Sequence, residues 1–351
     1  MIVDSGPSGL RRPRRILNLK IRSTVVKQMP AQIRKQWFLI TLIGLMLIGF
    51  MLAQPLAWLA DLEWLKWAIV TVTMFLMAWP LEFGRLQRAV SRPLAPGLAC
   101  VLNLVLIPLI IWPLAALAGA ELGPGMMIAA ATPSTLASAA VLTRRAGGDD
   151  SISIMVTILT NATCFLVMPF WIYVQTGNEI GSSKLVGTIY KLLLFVVLPI
   201  AIAQLTRLHR PSATWATKSK PRLSLMALIG ILSIVLVGAI KMGLRFSTDY
   251  EGASGFSVWQ LLTAAGILLA VHTSVFWIGI LSAKQLGISR QEQIAVGFSG
   301  SQKTLMIGLS TAINLGMSIV PIVMYHSLQL IVDAYFAERI REGEPDVEPT
   351  P

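Results

Sequence analysis

The chain has 351 residues, of which 55% are hydrophobic and 13% charged, with a mean hydropathy of +0.70. That balance excludes a soluble enzyme or binding module and indicates a polytopic membrane protein. The 29 basic residues outnumber the 17 acidic ones for a net charge of +12, which suggests a nucleic-acid partner until the basic residues are placed along the chain.

Residues 1–36 form a basic segment with no apolar core of the kind a cleaved signal peptide carries. Leu17, Ile21, Val25 and Met29 recur at fours among basic residues, so residues 15–29 suit either an amphipathic helix on an anionic leaflet or a solvated tail. Ten apolar stretches of spanning length follow, near 37–54, 64–83, 94–119, 122–143, 152–175, 185–206, 223–243, 257–282, 292–312 and 317–336. Only Ala120 and Glu121 separate the third from the fourth, and Pro124 with Gly125 supports a turn there. Residues 338–351 are acidic and proline-rich, the composition of a disordered tail.

The basic residues fall before the first span and then in alternate loops, among them Arg85, Arg88, Arg144, Arg145, Arg207, Lys218, Lys220, Lys284 and Arg290. The intervening loops carry few, chiefly Lys184 and Arg245. By the positive-inside rule both termini are cytoplasmic, which agrees with an even span count and removes the case for nucleic acid. Lipid bilayer is the expected surrounding, in a plasma membrane or a bacterial inner membrane. Cys100 and Cys164 both fall within spans and read as packing residues.

Residues 37–175 and 185–336 each supply five spans running in opposite directions, the pattern of an inverted repeat. The fourth span holds Ala131-Thr132-Pro133-Ser134-Thr135-Leu136-Ala137-Ser138, and its counterpart, the ninth, holds Gly297-Phe298-Ser299-Gly300-Ser301-Gln302-Lys303-Thr304. Proline removes a backbone donor and glycine loosens the helix, so both spans are expected to break and expose backbone groups. Lys303 lies near the middle of its span, where an unpartnered ammonium is costly; Lys66 and Lys241 lie near span ends, where lysines snorkel. Ser153, Thr157 and Asn161 recur at fours on span five, and Tyr325, Gln329 and Asp333 on span ten. Each stripe faces inward, as a polar site or as interhelical hydrogen bonding, and Asp333 could instead reach the cytoplasmic interface. Gly147-Gly148-Asp149-Asp150 ends span four and caps span five. His209, His272 and His326 lack metal-ligand spacing and no nucleophile triad is recognisable, so no catalytic residue, enzymatic activity or organic cofactor is expected.

Gly300-Ser301-Gln302-Lys303-Thr304-Leu305 and the passage from Pro133-Ser134-Thr135 through Thr143-Arg144-Arg145-Ala146-Gly147-Gly148-Asp149-Asp150 resemble the bile acid:sodium symporter family, solute carrier family 10, most closely its branch like member seven. The resemblance implies an all-α membrane fold of ten helices in which 37–83 and 185–243 form a panel. The core comprises 94–175 and 257–336, with broken helices four and nine crossing in it. It also implies that Ser138, with Ser153 and Thr157, matches one cation site. Asn103, five residues before Pro108, and Gln302 match a second, to which Phe298, Ser299 and Ser301 would add only carbonyls. The family's asparagine after the first-site serine is Ala139 here, and its glutamate shared by the two sites is Phe298, so no carboxylate stands at that position.

Two unit charges about 4 Å apart repel by about 4 kcal/mol at an effective dielectric near 20, so Lys303 disfavours a nearby sodium ion. The expected function is alternating-access transport of a small organic anion, bile-acid-like, a steroid sulfate or a small carboxylate. Lys303 replaces the cation and joins Ser134, Thr135 and Thr304 at the substrate, within a polar face that includes Asn161, Tyr325 and Gln329. Coupling would be to protons or absent. Sodium symport through the remaining neutral oxygens is the alternative. A second is regulation of calcium influx without solute transport, a role to which relatives in this branch are linked. Substrate identity and oligomeric state are not encoded in these patterns.

Overall fold

The computed structural model describes residues 37–82, 93–136, 138–177, 180–248 and 257–342. The basic segment 1–36 and its amphipathic stretch lie outside them, as do Arg85, Arg88 and residues 343–351. The described residues are helical throughout, without strands: α1 Trp37–Met51, α2 Ala57–Asp61, α3 Glu63–Ala78, α4 Leu94–Val101, α5 Ile107–Leu114, α6 Gly119–Ala131, α7 Ser138–Arg145 and α8 Asp150–Thr176. There follow α9 Ser182–Leu192, α10 Leu198–Thr206, α11 Arg210–Lys218, α12 Lys220–Thr248, α13 Val258–Gln285, α14 Arg290–Ser301, α15 Leu305–Leu315 and α16 Val320–Glu342. The last helix reaches Glu342, past the point where the sequence placed the start of a disordered tail.

Six helical stretches among the described residues are long and apolar enough to cross a membrane: Leu94–Ala131, Asp150–Thr176, Ser182–Thr206, Lys220–Ser247, Val258–Gln285 and Val320–Glu342. The remaining expected spans correspond to α1 and α3, of 15 and 16 residues, to the interrupted pair α14 with α15, and to α7 together with α6, the last part of the Leu94–Ala131 stretch. Large apolar side chains such as Leu47, Leu194, Ile229, Leu262 and Leu281 stand exposed on outer helix faces, the arrangement expected where lipid is the solvent.

Local chemistry sets the helix ends. Ser257 with Gln260 and Ser289 with Glu292 form capping boxes at the starts of α13 and α14. Asp149 accepts from the Ser151 N–H at 2.9 Å and caps α8, the role its sequence context indicated. The turn between the third and fourth spans falls elsewhere than expected. The chain reverses through a 3₁₀ turn, Ala115–Ala118, and Gly119 at φ +83°, a conformation that favours glycine. Pro124 and Gly125 lie inside α6. Gly125 lets α6 meet the start of α16, because a Cβ there would fall 2.5 Å from the Ser318 carbonyl oxygen.

Buried apolar side chains fill the centre, including a cluster of Leu142, Phe276, Ile280, Ile294, Phe298 and Phe336, with Phe276 stacked on Phe336 at 4.6 Å. Cys100 and Cys164 are unpaired thiols, as expected. Lys66 departs from the snorkelling expectation. It is 2% exposed and bonded to Glu63, while Lys241, 31% exposed, reaches the same carboxylate.

Candidate functional site at two broken helices

The two breaks meet. Thr132 leaves α6 in extended geometry, as do Gln302 and Thr304 between α14 and α15. The Thr304 N–H donates to the Pro133 carbonyl at 2.9 Å, so each unwound strand satisfies part of the other. Thr135 Oγ1 accepts from the Ser138 N–H at 2.9 Å and restarts the helix as α7. On the other side, Gln329 grips the Lys303 peptide from both faces, accepting from its N–H and donating to its carbonyl, each at 2.8 Å.

Lys303 is 2% exposed. Its Nζ donates to the Asn103 carbonyl at 2.5 Å, to Asn103 Oδ1 at 3.3 Å and to the Thr132 carbonyl at 2.9 Å. Three donors meet three neutral oxygens, and among the described residues no carboxylate pairs with the ammonium. Both backbone acceptors come from disturbed helix. Residues Leu102–Leu106 wind as a π-helix, in which the Ile107 N–H bonds Leu102 and the Asn103 carbonyl is released. Pro108, which has no N–H, leaves the Leu104 carbonyl to accept from Trp171 Nε1 at 2.8 Å. Thr132 lies at the C-terminal end of α6, where aligned peptide dipoles favour a cation.

The residues expected at the second cation site converge here, engaged with protein partners. Asn103 Nδ2 donates to the Gln302 carbonyl at 2.8 Å and more weakly to those of Ser299 and Gly300, both at 3.4 Å. The Ser301 carbonyl accepts from Tyr325 Oη at 3.0 Å, with His272 Nδ1 at 3.2 Å. The Phe298 carbonyl accepts from the Gln302 N–H, and the Phe298 ring packs against Phe276 at 4.9 Å. The hydroxyls of Ser299 and Ser301 turn back onto their own helix, to Ala295 and Gly297.

The first-site candidates do not form one cluster. Ser138 Oγ donates to Gln302 Oε1 at 2.9 Å and lies 2.7 Å from Thr135 Oγ1, and Thr157 Oγ1 donates to the Thr135 carbonyl at 3.1 Å. Ser153 instead pairs with Thr143 Oγ1 at 2.7 Å. Asn161 Nδ2 donates to the carbonyls of Ser134 and Thr157 at 2.9 and 2.7 Å. Ser134 Oγ and Asn161 Oδ1 are buried oxygens without a protein partner, which leaves the break with unmet hydrogen-bonding capacity.

The sequence places Asp333 on the inward stripe of span ten, with the interface as the alternative, but not among the site residues. Asp333 is fully buried, not at an interface, because it accepts from Gln302 Nε2 at 2.6 Å and meets His272 Nε2 at 2.9 Å. A carboxylate therefore stands beside Gln302 although Phe298 occupies the position expected to carry one. Its fours-spacing with Gln329 and Tyr325 was the available signal; the partner His272, on α13, gave none.

Curated relatives share part of this chain. An uncharacterized protein of Pseudomonas aeruginosa is 26% identical over 235 residues, covering 64% of this chain and 68% of its own. A probable sodium/metabolite cotransporter, the chloroplastic BASS4 of Arabidopsis thaliana, is 24% identical over 230 residues, 61% of this chain and 51% of the relative. Sodium/bile acid cotransporter 7 of Danio rerio is 22% identical over 336 residues, 89% of this chain and 95% of the relative. This chain thus spans about half of the plant relative and nearly all of the fish one. With residues 36–342 matching the family model, the chain is an integral membrane protein that belongs to the SBF-like CPA transporter family, a family of transporters and not of enzymes.

Proposed function

We propose that the protein is a secondary transporter of organic anions that works by alternating access without sodium, Lys303 acting as a tethered cation. The observation that carries this reading is the Lys303 ammonium held by three neutral oxygens at 2.5–3.3 Å where the two breaks meet. Such a shell of carbonyl and amide oxygens suits a monovalent cation, and here the chain supplies that charge itself. The names of the fish and plant relatives mention sodium. In this chain Asn103, Gln302 and the Ser299 and Ser301 carbonyls are taken by protein donors, which supports sodium independence. A bile-acid-like anion, a steroid sulfate or a small carboxylate would meet the Lys303 ammonium, whose three partners are neutral oxygens, while the buried Asp333 carboxylate is held by Gln302 and His272.

In this reading the ten-span arrangement of two inverted five-helix repeats holds, with the core 94–175 and 257–336 rocking against the panel 37–83 and 185–243 and both termini cytoplasmic. Ser134, Thr135 and Thr304 line the crossing, and the Lys303 cage opens toward the solute as the broken helices shift. Uptake of a radiolabelled steroid sulfate into liposomes holding the purified protein tests it, with sodium or choline as the external cation. Equal uptake in both, lost in Lys303→Ala, is the expected result; uptake only with sodium, or an unaffected variant, refutes it.

A further inference from the structure

A second cationic site lies away from the crossing, and no part of the Lys303 scheme uses it. Glu63 and Lys66 occupy the first turn of α3. Lys66 Nζ donates to Glu63 Oε2 at 2.5 Å, and Lys241 Nζ, from α12, donates to Glu63 Oε1 at 2.6 Å. Both oxygens of that carboxylate are thereby engaged. Lys191, on α9, donates to the neutral Asn314 Oδ1 of α15 at 2.5 Å. Lys66 and Lys191 also flank one indole, their Nζ atoms 5.3 and 5.5 Å from the Trp67 ring centre, so the two ammonium groups lie within about 11 Å of one another. Trp67 itself stacks on Phe195 at 4.7 Å. Three ammonium groups against one carboxylate leave 3 − 1 = +2 charges, and Lys66 is 2% exposed.

Topology does not account for this charge. The other end of α3 carries the basic loop contacts, where Arg207 donates to the Trp79 carbonyl and Trp79 Nε1 donates to Ser212. About 15 residues of helix, or about 22 Å, separate the two ends. The lysines therefore sit at the end that the positive-inside rule leaves poor in basic residues. Among the described residues this positive charge exceeds its carboxylate partners, which points to an anion. A cleft adjoins the cluster at Lys241, lined by that residue with Glu121, Gly238, Arg245, Ile313 and Met317. Its walls are mostly apolar and two cations stand at it, Arg245 being paired with Glu121 at 3.1 Å. A charged oxyanion group carried on an apolar body matches cleft and lysines together.

We propose that Lys66, Lys191 and Lys241 bind the carboxylate or sulfate group of an amphipathic organic anion, with the apolar body in the adjoining cleft. The assignment rests on the organic-anion transport reading and supplies it with an entry site distinct from Lys303, whose ammonium is enclosed. Asn314 belongs to the segment that follows the second break, so the Lys191–Asn314 hydrogen bond ties the site to the helix that would move. An anionic phospholipid headgroup offers the same chemistry from another source, and the test separates the two.

The full chain, purified in an uncharged maltoside detergent and again in phosphatidylcholine nanodiscs, is assayed for equilibrium binding of radiolabelled estrone sulfate. Lys191→Gln and Lys241→Gln are each expected to weaken binding about tenfold or more, Lys191→Arg to retain most of it, and Lys284→Gln, at an exposed position in the last turn of α13, to leave it intact. Binding by both glutamine variants equal to wild type overturns the site while leaving the transport reading in place. Absence of estrone sulfate binding to wild type in nanodiscs overturns both. Phosphatidylglycerol added to the nanodiscs should leave binding unchanged; abolition of binding by that lipid, with solute unable to displace it, assigns the lysines to a headgroup and overturns the solute site.

Discussion

If Lys303 takes the place of sodium as proposed, removing its ammonium should make the protein respond to sodium. Lys303→Ala deletes two short hydrogen bonds, 2.5 and 2.9 Å, and one long one, 3.3 Å, and leaves the carbonyls of Asn103 and Thr132 facing an empty space. Charge-assisted bonds contribute about 1.5–3 kcal/mol each in soluble proteins, whereas hydrogen bonds inside membranes average about 0.6 kcal/mol. Three bonds at the membrane average and at the low end of the soluble range bracket a loss of about 2–5 kcal/mol. At about 2 °C per kcal/mol for a chain of this size, the melting temperature should fall by about 4–10 °C. The vacated oxygens are then available to a free cation, and sodium at about a hundred times its dissociation constant would restore about 2.7 kcal/mol. Lys303→Met fills much of the space with apolar atoms and should be destabilised without recovering in sodium. The assay is a thermal melt of detergent-purified protein in sodium chloride against choline chloride at constant ionic strength. Sodium-specific stabilisation of wild type, or an alanine variant that melts like wild type in both salts, refutes the reasoning.

Other changes test the surrounding framework. Gly125→Ala places a methyl group 2.5 Å from the Ser318 carbonyl oxygen, so the junction of α6 with α16 must shift, at about 1–3 kcal/mol; a thermal melt reads it. Asp333→Ala strips the acceptor from Gln302 Nε2 and His272 Nε2 and should destabilise by about 1–3 kcal/mol per donor left buried, with Asp333→Asn milder in the same melt. Ser153→Ala removes the bond to Thr143 alone, should cost about 1 kcal/mol or less, and should leave the salt response of both wild type and Lys303→Ala unchanged.

The unusual chemistry of the crossing was legible because it conflicts with a membrane interior. A mid-span lysine, a Thr-Pro-Ser-Thr run and a Gly-Ser-Gln-Lys-Thr run are costly in lipid unless they meet one another, and Thr304 and Pro133 do meet. What Lys303 meets was not legible, since two of its three acceptors are backbone carbonyls and any residue has one. The release of the Asn103 carbonyl depends on a π-helical turn to which Pro108 was the only clue. Ser153 matched a cation-site position by resemblance, yet Thr143, on a neighbouring helix, takes its hydroxyl. The turn at Gly119 was misplaced because Pro124 and Gly125 have turn-forming composition, while both lie inside α6 and Gly125 allows its close approach to Ser318. For Asp333 the inward stripe and the interface were both open because it lies late in its span; α16 continues to Glu342 and carries that position inside.

The central claim, that the chain provides its own cation at the crossing, is tested most directly by equilibrium binding of radiosodium to the purified wild-type protein, with Lys303→Ala measured alongside. The account predicts no saturable sodium binding by wild type and its appearance in the alanine variant. Saturable, lithium- and potassium-discriminating sodium binding by wild type would contradict it.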